Sequence, residues 1–317
     1  MPRIDTHHHL AAPACLGPLQ DAGILMKHDA DAMKASRALE DMDRGGITLA
    51  VNSTPAPPRF AIENEARGAA WARENNEYLA RLVADHPGRF GMFTALPMPH
   101  VDATLKEIEY GLDVLKADGV YLMTSYADNW LGNKIFAPVF EELNRRKAVI
   151  YVHPAVPDCC LNFVPGQQDA NIEYGTDTTR AIARMVFSGA SQTYPDLRII
   201  WSHAGGTMPF LVERFMRTAG MPHYVKLLPG GFLPEAQRFF YDTAQASNRV
   251  ALTAARMVIP ASHFVFGTDY PYRGAAEHVE GLRQCGVFDN WELRAIDRTN
   301  LAGLLPHYSD GEETRVA

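Results

Sequence analysis

Eight short runs of apolar and β-branched residues recur along this chain, and a longer stretch with helical spacing separates most neighbours. The candidate strands are Ile4–His8, Ile47–Asn52, Phe90–Ala95, Val120–Met123, Ala148–Val152, Arg198–Ser202, Phe239–Asp242 and Phe264–Gly267. Between the first two, "DADAMKASRALEDMDRGG" places Met33, Leu39 and Met42 on one helical face and closes on Gly45-Gly46. "IENEARGAAWARENNEYLARLVADHPGRF" is the longest such stretch and stops before Pro87-Gly88. Strand–helix alternation implies a parallel sheet, because parallel neighbours need a crossover, and eight such units predict a closed (β/α)8 TIM barrel. We expect one domain over residues 1–317, with loop insertions over the C-terminal mouth. Those insertions are residues 11–28 and the Gly/Pro-rich "GMPHYVKLLPGGFLPEA"; residues 307–317 are expected to form a flexible tail.

In such barrels the reactive groups stand at the C-terminal ends of the strands. His7 and His9 end the first strand two residues apart, so the pleat turns both to one face. His8 points to the other face, where packing or a backbone hydrogen bond would satisfy it. His153 ends the fifth strand in "VIYVHP", His203 the sixth in "RIIWSHAGG", and Asp269 follows the eighth in "FVFGTDYPY". A lone strand-end histidine is ordinarily a satisfied polar residue. Four of them with a carboxylate on one rim is the donor set of a divalent ion of the zinc type, with room left for water or substrate. A tag is excluded as the origin of the opening histidines, since only three occur before Leu10.

The rest of the sequence narrows the partners. The 317 residues carry a net charge of −7 and no basic stripe, which argues against nucleic acid. No apolar run approaches the roughly 18 residues that span a bilayer. The four cysteines (Cys15, Cys159, Cys160 and Cys285) lack CxxC spacing, and the adjacent pair does not easily bridge to itself, so a cytoplasmic protein with reduced thiols is expected. Gly205-Gly206 lie outside any phosphate-loop pattern and suit a tight turn into the next helix.

"DTHHHL", "VHP", "SHAGGTMPFLVERF" and "FGTDYP" resemble the amidohydrolase superfamily, in the branch that holds aminocarboxymuconate-semialdehyde decarboxylase. The stretch from "ALPM" to "AVIYVHP" is most similar to 6-methylsalicylate decarboxylases within that branch. The resemblance runs from about Arg3 to Leu305. It implies a metal-dependent, non-oxidative decarboxylase of an aromatic or unsaturated acid, here a salicylate-type 2-hydroxybenzoate. His7, His9, His153 and Asp269 match the family's metal ligands, and His203 its catalytic histidine. Arg214 matches an arginine that some relatives insert into a neighbouring subunit's site, which implies a homodimer. Relatives acting on dihydroxybenzoates often carry Glu in place of the first histidine; His7 favours the zinc version, with manganese as the alternative ion. No lysine stands at the end of the fourth strand ("YLMTSY"), so one metal is expected.

The proton that replaces CO2 is expected from His203 or Asp269. Arg59, after the second strand, is a candidate partner for the substrate carboxylate, with a plain surface arginine as the alternative. Tyr126, Trp130, Phe163 and Tyr272 fall in rim loops and are candidates for an aromatic wall around a planar acid. The rival reading is a metal-dependent hydrolase of the lactonase or hydratase type; a barrel that merely stores metal would not need His203.

Overall fold

The computed structural model describes residues 2–309. Eight strands follow in order β1 (Arg3–His9), β2 (Ile47–Ser53), β3 (Phe90–Ala95), β4 (Gly119–Met123), β5 (Val149–His153), β6 (Arg198–Trp201), β7 (Phe240–Asp242) and β8 (Phe264–Val265). Each pairs in parallel with the next. The last meets the first through Thr6 N donating to Phe266 O at 2.9 Å and Asp269 N donating to His7 O at 2.8 Å, so the sheet closes on itself. The eight barrel strands expected from the sequence are those observed, with ends that differ by at most two residues; a short rim hairpin, Ser125–Tyr126 with Asn129–Trp130, stands apart from the barrel.

Nearly every strand residue is buried on both faces, as a parallel sheet lined inside by side chains and outside by helices requires. Below the mouth, the rings of Phe93 and Tyr151 stack at 5.4 Å and Tyr121 lies 6.3 Å from Tyr151. This aromatic layer fills the barrel beneath the histidines.

Three expectations need revision. The long helix is interrupted: Arg59–Glu63 forms a short helix, Asn64 takes an extended conformation, and Glu65–Asp85 starts afresh. The Asn64 side chain accepts from Arg67 N at 3.0 Å, an N-cap that a residue with a short amide readily supplies. Residues 11–28 do lie beyond the mouth end of β1, but half of the segment is a helix, Pro13–Asp21, whose Cys15 and Leu19 join a small second core with Leu25, Met33, Ala61 and Trp71. The Gly/Pro-rich stretch lies at the opposite rim instead of over the mouth. It connects a helix (Met208–Ala219) to β7, and its Tyr224 and Phe232 pack on Phe187, the last residue of the helix Asp169–Phe187.

At the chain's end, His307 and Tyr308 both bond the Asp118 carboxylate, at 2.6 and 2.9 Å. Of the expected tail, residues 310–317 lie outside the described part.

Candidate metal centre

β1 delivers His7 and His9 to one point above the aromatic layer, and β5 and β8 deliver His153 and Asp269 to the same point. His7 Nε2 lies 3.1 Å from His9 Nε2 and 3.1 Å from Asp269 Oδ1; His9 Nε2 is 3.3 Å from the same oxygen. The His153 ring stands 5.1 Å from that of His7 and 5.0 Å from that of His9. One donor atom each from His7, His153, His203 and Asp269 falls within a 4.8 Å group. His8 points away, as the pleat demands. It is satisfied through its side chain, by Asn52 Oδ1 at 2.8 Å and by stacking on Tyr270, instead of through the backbone.

A buried carboxylate holds the cluster from below. Asp242, at the end of β7, accepts from His7 at 2.8 Å, from the Tyr151 hydroxyl at 2.9 Å and from His203 N at 2.8 Å. It fixes the His7 ring so that Nδ1 is the protonated nitrogen and Nε2 faces the cluster. Pro154 O does the same for His153 Nδ1 at 2.9 Å, and Ser53 Oγ holds the His9 ring through Nδ1 at 3.1 Å.

The backbone here is bent to purpose. His203, Ala204 and Asp269 have φ of 55°, 54° and 73°, a left-handed region that costs a non-glycine residue about 1 kcal/mol or more. Gly205-Gly206 complete the same turn at φ of 78° and 63°. At Gly267 a Cβ would stand 2.8 Å from the Cβ of His7 and 3.1 Å from that of Asp242; only glycine lets the segment after β8 come this close.

Burial and charge set the protonation states. Burial pushes His9 down and His153 well down, so both imidazoles are neutral and able to donate a lone pair. Burial also works against the His7 cation, yet Asp269 and then Asp242 override it and lift His7 to about 10. Burial alone would raise Asp269, but the His7 charge and contacts with His203, His7 and His9 hold it well below the carboxylate range.

These residues fit a divalent ion. Neither Asp269 Oδ1 nor His203 Nε2 has an aligned hydrogen-bond partner although both are buried, and such orphaned atoms are rare without a ligand. Two imidazole nitrogens facing each other at 3.1 Å repel unless a cation or a proton sits between them. Three imidazoles and a carboxylate form a borderline-soft donor set.

The structure places the remaining candidates unequally. Tyr272 reaches the cluster, with its ring 6.2 Å from that of His9 and its hydroxyl donating to Ile24 O at 3.2 Å. Tyr126 is buried on Phe136, and its hydroxyl accepts from Met123 N. Trp130 donates to Asp177 at 2.6 Å and ties the rim hairpin to a helix. Phe163 is 73% exposed. Arg59 is exposed and pairs with Glu63 at 2.6 Å and, more loosely, with Asp158 at 3.8 Å. Arg214 is exposed and forms no ion pair among the described residues.

Three residues at the site went unnoticed in the sequence. Asp242 ends a predicted strand and could have been found by asking for every strand-end carboxylate. Gln245 donates to Asp269 Oδ2 at 3.0 Å. Tyr174 lies inside a helix, its ring 5.5 Å from that of His153 and parallel to that of His203 at 6.4 Å. Nothing in the local sequence marks either of the last two.

The amidohydrolase family model matches residues 4–303. A 6-methylsalicylic acid decarboxylase from Penicillium expansum is 33% identical over 92% of this chain and 91% of its own. The crystal structure of a 2,6-dihydroxybenzoate decarboxylase from Rhizobium superposes with a TM-score of 0.85 at 23% identity, covering 98% of this chain and 100% of its own. A dihydroxybenzoic acid decarboxylase from Polaromonas with bound manganese and 2-nitroresorcinol superposes at 0.82, with 23% identity and 99% of each chain covered.

Proposed function

This chain belongs to the amidohydrolase family, and from that premise we propose that it is a metal-dependent, non-oxidative decarboxylase of a small salicylate-type acid, yielding CO2 and a phenol. The observation that carries the reading is the convergence of His7, His9, His153 and Asp269, with His203 among the donors that gather there. The substrate class follows the Penicillium relative, whose named substrate is 6-methylsalicylic acid.

Direct loss of CO2 from an aromatic ring would leave an aryl anion that the ring cannot delocalise. Protonating the carboxyl-bearing carbon first avoids that species, and an ortho hydroxyl stabilises the resulting dienone. His7, His9, His153 and Asp269 would hold a divalent ion, which would supply Lewis-acid chemistry to such a substrate. Zinc suits the three imidazoles; manganese, bound in the Polaromonas structure, is the alternative.

His203 is the proton carrier in this reading. Its Nε2 is buried with no aligned hydrogen-bond partner, 3.4 Å from Asp269 Oδ2, while Asp242 pins its backbone N–H. Asp269 is the weaker candidate, because the surrounding imidazoles hold its carboxylate ionised. Tyr272, Tyr174 and Tyr121 flank the histidines and form the wall against which a planar ring would lie. They also exclude water from the protonated carbon. Tyr126 and Trp130 support the rim from behind, and Phe163 and Arg59 would reach substrate only if their loops closed over it.

A homodimer is part of the proposal. Arg214 stands exposed and unpaired between Phe210 and Met216, which are 66% and 44% exposed, a face suited to burial against a second copy. The compartment proposed is the cytoplasm; no helix among the described residues is long and apolar enough to cross a membrane.

The test is a panel of 2-hydroxybenzoates, 6-methylsalicylate among them, incubated with metal-loaded protein in D2O. The expected result is CO2 together with a phenol deuterated at the carbon that lost it. Opening of lactones with no CO2 from any acid would instead establish the hydrolase.

A further inference from the structure

Five residues beyond His153, the chain begins a single turn, Asp158–Cys160, that the proposed chemistry does not use. Cys159 is exposed, Cys160 is half-buried, and neither is in a disulfide. Their sulfurs lie 3.2 Å apart, so adjacent side chains that could splay to opposite sides have been turned to one side. The turn touches a short helix, a loop and a long helix. Asp158 faces Arg59 at 3.8 Å, Cys159 N donates to Asp128 at 3.4 Å, and the Arg180 guanidinium contacts Cys160 Sγ at 3.8 Å.

Two sulfurs at this separation can bond one and the same atom, and the surroundings say which kind. A structural zinc ion takes four ligands, yet the cluster around His7 is the one group of three or more His, Cys, Asp or Glu donors that converges among the described residues. The pair has no third protein ligand to offer. A trivalent centre that brings its own carbon substituent needs only two sulfurs. An apolar surface for that substituent adjoins the pair, since Leu161, Phe163 and Ile172 are 47%, 73% and 44% exposed and Phe163 and Ile172 flank the same groove as Cys160.

We infer that Cys159 and Cys160 form a chelating dithiol at the barrel mouth that captures trivalent organoarsenicals. The step is a condensation: R–As=O and two thiols give R–As(S–Cys159)(S–Cys160) and one water. Two S–H bonds and the As=O bond break, two As–S bonds form, the oxygen leaves with both thiol protons, and arsenic stays trivalent. Contact with Cys159 raises the Cys160 thiol to about 11, so capture depends on chelation by the two sulfurs more than on a reactive Cys160 thiolate. The site is independent of the decarboxylase reading and stands whether or not that holds.

The experiment uses the metal-loaded protein and phenylarsine oxide, followed by intact mass and thiol titration. One phenylarsine adduct per chain is expected, with two thiols lost together, and with removal by 1,2-ethanedithiol but not by a monothiol. Cys159→Ser and Cys160→Ser should each weaken retention at least tenfold, while Cys15→Ser and Cys285→Ser leave it unchanged. Because both residues of the pair lie at the surface, their serine variants should fold. An adduct that costs one thiol, or that survives in Cys159→Ser, overturns the assignment.

Discussion

Asp5 and Asp269 are both buried and both lie at the junction of β1 with the segment after β8; burial raises each carboxyl, and their neighbours send them to opposite ends. Asp5 accepts from Thr268 N and His7 N, each at 3.0 Å, and from the Thr268 hydroxyl at 2.5 Å. Its partners are neutral dipoles, burial prevails, and its carboxyl rises to about 7. Asp269 sits among imidazoles, one of them cationic, and is held well below the carboxylate range with Oδ1 lacking an aligned donor. The seam is thus a satisfied polar joint, and the mouth is an unsatisfied one. A fold keeps an unsatisfied buried carboxylate only where something else completes it.

Substitutions should separate the two regions. The largest effect is expected from His203→Ala, which removes the proposed proton carrier without removing a ligand from the His7–His9–His153–Asp269 set. Turnover should fall by about 10²–10⁴-fold while one metal per chain is retained, as measured by elemental analysis beside the rate. A loss of metal in step with activity would make His203 a ligand instead.

A smaller effect is expected from Asp242→Asn. It leaves packing intact but weakens the hold on His7, and metal affinity should drop by about 10–100-fold, read by competition with a chelating dye. The smallest functional effect is expected at the seam. Asp5→Ala strands three donors and should lower stability by about 1–3 kcal/mol in denaturant titration, with metal content unchanged. If Asp5→Ala emptied the site while leaving stability alone, the division between seam and mouth would fail.

The barrel was legible because its signal is repeated. Each strand is a short buried run, and eight of them leave little choice of topology. His7 and His9 were legible because strand pleat is a strict period of two. What escaped depends on approach between distant segments. Gln245 and Tyr174 reach the cluster from a left-handed loop position and from a helix, and neither obeys a strand-end rule. The rim aromatics illustrate the converse: Trp130 looked like substrate wall, but Asp177, 47 residues away, claims its indole N–H. Polar partners of this kind leave no periodic trace. Asn64 escaped for a local reason, since one extended residue interrupts an otherwise continuous helical pattern.

Anomalous diffraction from crystals of the zinc-loaded protein, recorded at the zinc edge, interrogates the core of this account in a single data set. It should show one strong peak per chain, enclosed by Nε2 of His7, His9 and His153 and the carboxylate of Asp269. A peak elsewhere, two peaks in the mouth, or none at full loading would contradict it.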